Sequence, residues 1–213
     1  MQNNSKNNPK NSVIIRQAFF EFVYFILIML TSVVALYIEV FYLKNANSER
    51  SLIENVQRLY LAIMAIIFFS YAVKHEKFRG GFVLIGGFVL CMLIRENDQL
   101  SDRWFHGSWK YFALAVAVVC IFYAVKHINT SLDGLCHFIK TRDYAVFVTG
   151  LVVVLLVSRL FGAGEIWTTI MQDNYVRVVK NTVEEYSELV GYTIMLFASL
   201  RFVSCSGTKR QLQ

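Results

Sequence analysis

Eight charged side chains near the ends of apolar segments are the best candidates for chemistry in this chain. Three of them, Glu184, Glu185 and Glu188, fall within about one helical turn, where carboxylates repel one another unless cations lie nearby. Such a group is typical either of a divalent-cation or headgroup site or, with arginines beside it, of a structural ion network. The candidate residues are Glu39, Arg95, Glu96, Asp98, Arg159, Glu184, Glu185 and Glu188.

The two arginines of this set are the expected counter-charges. Arg95 and Arg159 each end an apolar segment at the same predicted depth. A structural network would place them within ion-pair distance of Glu185 and Glu188, because an unpaired charge at a lipid boundary is costly. A binding site would instead use these two glutamates with the acids that follow Arg95. The sequence leaves both interpretations open.

Other catalytic signatures are missing from the sequence. No histidine lies three or four residues from another, and the four cysteines have neither metal nor disulfide spacing. The chain has no Gly-x-Ser-x-Gly motif and no phosphate-binding glycine loop. Serines within the apolar segments are expected to bond to carbonyls of their own helices. No cofactor is predicted, although carboxylates alone could hold a divalent cation, and an enzyme is not favoured.

The composition indicates a membrane protein. Apolar residues make up 56% of the chain and charged residues only 17%, whereas soluble domains average 45–50% and about a quarter. The apolar residues form blocks of roughly 20, the length that crosses about 30 Å of hydrocarbon. The net charge of +6 is spread over block ends rather than along a basic stripe, so the lipid bilayer and not nucleic acid is the expected partner.

Six blocks predict an all-α, polytopic fold with six transmembrane helices. The predicted spans cover residues 17–43, 52–75, 78–95, 109–126, 142–162 and 187–205. Residues 1–16 and 206–213 are expected to be cytoplasmic polar tails flanking one transmembrane domain. Residues 127–140 are too short and polar to cross and are expected to lie along the surface. Ser51 with Glu54 three residues later is a capping pattern at the start of the second span, and Gly162, Ala163 and Gly164 predict a helix break after the fifth. Residues 165–186 are amphipathic, with no glycine or proline between 174 and 188 to separate them from the sixth span.

Lysines and arginines orient the six spans. More than half of the 21 basic residues fall on the side of the membrane that contains the N-terminus, and the positive-inside rule places that side in the cytoplasm. Both termini are then cytoplasmic, and the eight candidate residues lie near the periplasmic face of a bacterial inner membrane.

Two further patterns predict helix packing. The pentapeptide Tyr71–His75 recurs identically as Tyr123–His127, each at the end of a predicted span, which suggests two duplicated helical hairpins. Gly86 and Gly87 lie in mid-span, where small residues let another helix approach closely. The sequence does not determine the oligomeric state.

These observations favour a binding or accessory component of the inner membrane, of unknown specificity. The first alternative is a membrane-embedded enzyme that acts on a lipid or headgroup with a divalent cation. The second is a transporter or channel for a small solute or ion. Transporter sites often use helices broken in mid-membrane, and here the only proline, Pro9, lies in the N-terminal tail.

Overall fold

The computed structural model describes residues 9–43, 51–98 and 107–210. Helices account for 94% of the structure and the described residues contain no strand, which confirms the all-α class. The helices are α1 (Pro9–Ile38, continued by a π-helical turn Glu39–Leu43), α2 (Leu52–Lys74), α3 (Arg79–Glu96), α4 (Trp109–Lys126), α5 (Ile128–Ile139), α6 (Arg142–Val152, continued by π-helical Val153–Val157 and α-helical Ser158–Gly162), α7 (Gly164–Met171) and α8 (Arg177–Arg210).

Five described helices are long and apolar enough to cross a membrane, namely α1 to α4 and α6. The first and the last helix of the chain extend beyond their predicted boundaries. α1 begins at Pro9, so part of the predicted N-terminal tail is helical, as proline favours the first turn of a helix. α8 likewise extends to Arg210, while residues 1–8 and 211–213 lie outside the described residues.

The predicted break between α6 and α7 is present, and so is the predicted start of α2. Ala163 adopts an extended conformation between the two helices, with Gly162 and Gly164 on either side. Ser51 caps α2 by accepting a hydrogen bond from the Glu54 amide, the geometry expected of its capping pattern.

Helix α8 lies at the centre of the bundle. It packs against α1, α2 and α6, and α2 in turn packs along α3, which carries α4 and α5 on its other sides. Tyr192, Met195 and Ala198 of α8 are fully buried. This position explains the modest hydropathy of α8, because its side chains face other helices.

The bundle has two distinct ends, named here by what they carry. The carboxylate end contains Glu39, the start of α2, the ends of α3 and α6, and Glu184 to Tyr192 of α8. The α5 end contains helix α5 with the ends of α2 and α8. There Phe138 packs edge-to-face against Phe68, Phe147 and Phe202, so α5 buries one face in an aromatic core.

Helix backbones approach each other closely at glycines, but not at the predicted pair Gly86 and Gly87. Gly86 faces the Phe69 ring and Gly87 faces the Cys120 side chain, so both meet side chains of neighbouring helices rather than backbone. Backbone approach occurs at Gly81, which meets α5, and at Gly150 of α6, which meets α8. Without a hydrophobic drive between helices in lipid, such close packing is a main source of their association.

The repeated pentapeptide adopts one conformation twice. His75 and His127 each end a helix, donate a backbone N–H to the tyrosine four residues earlier, and pack their rings against that tyrosine. The helices that follow differ, because α5 is inserted between α4 and α6. Within the described residues α4 does not pack along α6 as α2 packs along α3. The second predicted hairpin is therefore not a packed pair.

Candidate functional site

Glu188 is the centre of the charged cluster at the carboxylate end. Its side chain is only 9% exposed, and Arg159 Nη2 lies 2.6 Å from its Oε1 atom. Arg95 Nη2 lies 3.5 Å from the same oxygen, and Ser158 Oγ lies 3.4 Å from it. One carboxylate thus joins the ends of α3 and α6 to α8, and Glu188 has the arginine contact that was expected of it.

Glu96 forms a second junction beside it. The buried Tyr192 hydroxyl donates to Glu96 Oε1 at 2.8 Å, and Arg95 Nη2 lies 3.8 Å from that oxygen. The Glu96 backbone carbonyl accepts from Arg58 Nε at 2.9 Å. Tyr192 follows Glu188 by four residues and so lies on the same face of α8. These bonds tie α2 and α3 to α8.

Helix α2 contributes polar side chains that the sequence interpretation missed. Arg58 Nη2 lies 2.8 Å from Glu54 Oε2, and the buried Gln57 amide donates to the Glu185 backbone carbonyl at 2.8 Å. A Glu and an Arg four residues apart are neighbours on one helix face, and a glutamine within an apolar helix needs a partner when buried. Both signals are readable in the sequence, although they do not reveal which helix supplies the partner.

Glu39 caps α2 rather than joining the arginines. Its carboxylate is buried and accepts the Ile53 backbone N–H at 2.8 Å. The first amides of a helix have no intrahelical partner and carry partial positive charge, so a carboxylate there is stabilising. With Ser51 on the next available amide, the start of α2 is held by one residue from α1 and one of its own.

Glu184 and Lys180 extend the ion-pair network to the end of α6. Glu184 lies 3.4 Å from Arg159 Nη1 and 3.3 Å from Lys180 Nζ. Lys180 Nζ also donates to the Gly162 carbonyl at 3.1 Å. A cation at the carboxyl end of a helix bonds to unpaired carbonyls and offsets the helix dipole.

The remaining two candidates are Asp98 and Glu185. Asp98 is exposed just beyond α3. Glu185 forms no ion pair with Arg95 or Arg159 among the described residues, so the predicted contact is wrong for this glutamate. The reason is rotation: Glu184 and Glu188 both face Arg159, and each residue turns a helix by about 100°, which directs Glu185 away.

Burial without a cation changes the acidity of Glu185. Burial raises the pKa of its carboxyl to about 7, and repulsion from the carboxylates of Glu54, Glu39, Glu188 and Glu184 adds to the effect. Glu185 lies at the carboxylate end of the bundle, before the predicted sixth span.

A second charged cluster, at the α5 end, was not predicted. Arg201 of α8 bonds through Nε to Asp143 of α6, and its Nη1 atom lies 3.4 Å from Glu21 of α1. Asp143 is 8% exposed and Glu21 is 52% exposed, so the inner acid is the stronger partner. Helix α8 is therefore tied to its neighbours by ion pairs at both ends of the bundle.

At the contact between α3 and α8 the acids are paired with donor side chains. Glu188 and Glu96, the most buried acids of the α3–α8 contact, face arginine or tyrosine donors. Among the described residues no group of three His, Cys, Asp or Glu side chains is placed to hold a metal ion. The serines bond within their helices as expected, Ser158 and Ser199 each to the carbonyl four residues earlier.

Comparison with known proteins adds no functional assignment. No family model matches this chain, and neither does any curated protein or solved structure. The function must therefore be argued from the charged clusters and the bundle that carries them.

Proposed function

We propose that this chain is a six-span protein of the bacterial inner membrane with both termini in the cytoplasm. Five spans are the helices of sufficient length and hydropathy, and the sixth is the apolar half of α8. The support for α8 is its central position: the charges that lower its hydropathy, Glu188 and Arg201, are each paired with neighbouring helices. A span surrounded by protein does not need the hydropathy of one that faces lipid.

The two ion clusters support this arrangement by their spacing. Asp143 and Arg159 are 16 residues apart on α6, about 24 Å along a helix, and Glu21 and Glu39 are 18 apart on α1, about 27 Å. These separations approach the roughly 30 Å thickness of the hydrocarbon core. Charges at that spacing reach the two membrane surfaces, where they cost least.

We infer that the protein is a binding or accessory component whose carboxylate end is a structural network. One observation carries this inference: the buried Glu188 carboxylate forms ion pairs with Arg159 and Arg95. A divalent cation at this carboxylate would have to displace an arginine. The enzyme alternative, which acts on a lipid or headgroup with such a cation, requires that displacement, and the transporter or channel alternative requires an opening between paired helix ends.

A duplicated hairpin is a separate proposal about origin. The matching conformations of Tyr71–His75 and Tyr123–His127 support it, and the inserted α5 would then be a later addition to the second copy. It has no bearing on the function proposed here.

Divalent cations distinguish the structural network from the metal-dependent alternative. We expect Mg²⁺ and Ca²⁺ to leave the melting temperature of the purified protein unchanged, because a ligand raises stability only by binding the folded state. Glu188→Gln should lower that temperature with or without either ion, while the exposed Glu165→Gln serves as the matched control. Stabilisation by either ion that is lost in Glu188→Gln alone would instead support the enzyme alternative.

Reporter fusions test the topology. Fusions at Lys77 and Lys209 should give cytoplasmic signals and a fusion at Asp173 a periplasmic one, because α8 crosses between Asp173 and Lys209. A periplasmic signal at Lys209 would mean that α8 does not cross, and the six-span proposal would fail.

A further inference from the structure

An open apolar groove lies between α3 and α6 where these helices do not pack on each other. It has a volume of about 400 Å³, within the 300–1,000 Å³ typical of small-ligand sites. Helix α5 bounds it at one end. Its lining includes Leu84 and Phe88 of α3, Ile139 of α5, and Tyr144, Val148 and Leu151 of α6.

The groove extends through most of one leaflet of a bilayer. Along α6 its lining begins at Tyr144, two residues after the helix starts, and ends at Leu151. From Tyr144 to Leu151 the helix rises by seven residues, or about 10 Å. Half of a hydrocarbon core roughly 30 Å thick is about 15 Å. The groove therefore covers about two-thirds of one leaflet, starting from the α5 end.

Two cations lie on the segment that connects Ile139 to Tyr144 at the α5 end, although neither lines the groove. Lys140 directly follows Ile139, Arg142 comes two residues before Tyr144, and both side chains are exposed. Neither forms an ion pair with the part of the chain that the structure describes. The one acid between Ile139 and Tyr144, Asp143, is buried against Arg201 and so does not neutralise this pair.

We propose that the groove holds an acyl chain of an anionic phospholipid whose phosphate lies at Lys140 and Arg142. An apolar groove through most of one leaflet with cations at its outer end matches the two halves of such a lipid, because surface lysines and arginines attract anionic headgroups. This proposal requires only that α3, α5 and α6 are embedded in a bilayer. It does not depend on α8 crossing or on the role of Glu188.

Native mass spectrometry of the full chain tests this directly. The protein is released from mixed micelles that contain equal amounts of phosphatidylglycerol and phosphatidylcholine, and the retained lipid is identified by mass. We expect one phosphatidylglycerol per chain, retained at least several-fold over phosphatidylcholine. Val148→Trp, which fills the groove, should lose the lipid, whereas Val152→Trp, an exposed position on the same helix, should keep it.

A surface variant protects the test against misfolding. Lys140→Gln with Arg142→Gln leaves the groove intact and should remove the preference for phosphatidylglycerol while the melting temperature of the lipid-free protein stays within about a degree. Equal retention of the two lipids by the unchanged protein would overturn the proposal. So would equal retention by Val148→Trp, or a dimer that Val148→Trp abolishes, since a second copy would then occupy the groove. Each of these outcomes is independent of the reporter-fusion result.

Discussion

The contact between α6 and α8 gives the sharpest test of the bundle, because it depends on two single glycines. A Cβ atom added at Gly150 would lie 2.6 Å from the Gly191 carbonyl oxygen and 2.9 Å from the Met195 amide nitrogen. A Cβ added at Gly191 would lie 2.8 Å from the Gly150 carbonyl oxygen. Backbone atoms cannot rotate aside as side chains do, so alanine at either position must push the two helices apart.

The size of the effect follows from these distances. Ordinary contact begins at 3.4 Å, so Gly150→Ala requires a shift of about 0.8 Å. A gap of 0.5–1 Å removes a quarter to a half of the attraction between facing atoms, and overpacking of this kind costs about 1–3 kcal/mol. For a chain of this size each kcal/mol lowers the melting temperature by roughly 2–4 °C.

Thermal unfolding of the purified protein, followed by tryptophan fluorescence in detergent, measures this loss. Gly164→Ala is the control, because an added Cβ there meets nothing within 4 Å, and it should leave stability unchanged or raise it by up to about 1 kcal/mol. Combining Gly150→Ala with Gly191→Ala should cost less than the sum of the two, since one shift relieves both contacts. If Gly150→Ala melts at the temperature of Gly164→Ala, α6 and α8 do not cross at these residues.

Two further predictions concern the charged residues. The pKa of Glu185 is raised from 4.5 to about 7, so the folded state binds its proton more tightly than the unfolded state. Stability should therefore fall as pH rises between these values and level off above 7. Glu185→Gln should flatten that decline, and an unchanged pH profile of melting temperature in this variant would count against the raised pKa. Asp143→Asn should destabilise the protein by about 3 kcal/mol, because it leaves the largely buried Arg201 with only the half-exposed Glu21. Glu21→Gln should cost under about 1 kcal/mol. Equal losses of unfolding free energy for the two variants in chemical unfolding would refute this ranking.

Sequence patterns predicted those features that depend on one helix at a time. The cap at Ser51, the break at Ala163 and the position of Glu188 near an arginine all follow from local pattern and from which residues end a span. All-helical architecture followed from the length and hydropathy of the apolar blocks.

Features that depend on how one helix is rotated against another were not predictable. Arg58 and Tyr192 both bond to Glu96, yet their own helices give no sign of that partner. Glu185 lies one residue from Glu184 and differs from it only by about 100° of rotation, which decides between an arginine and none. Gly150 and Gly191 likewise have no other glycine within ten residues in their own helices, and each becomes significant only because the other faces it.

The position of Arg201 shows the same limit. Its partners, Glu21 and Asp143, come from the first and the sixth helix of the bundle, so no sequence spacing connects them. Knowing that α8 is central would have predicted the need for a partner, because a buried arginine must be paired. That knowledge comes only from the packing.

A double-mutant cycle between Glu188 and Arg159 tests the structural network most directly. Unfolding free energies are measured for Glu188→Gln, Arg159→Gln and the combined variant in the absence of divalent cations. A short charge-assisted bond between a buried acid and a half-exposed arginine should give a favourable coupling of about 1–2 kcal/mol, larger than that between Glu184 and Arg159 at 3.4 Å. Additive losses, with a coupling below about 0.3 kcal/mol, would show that Glu188 does not hold the helix ends together.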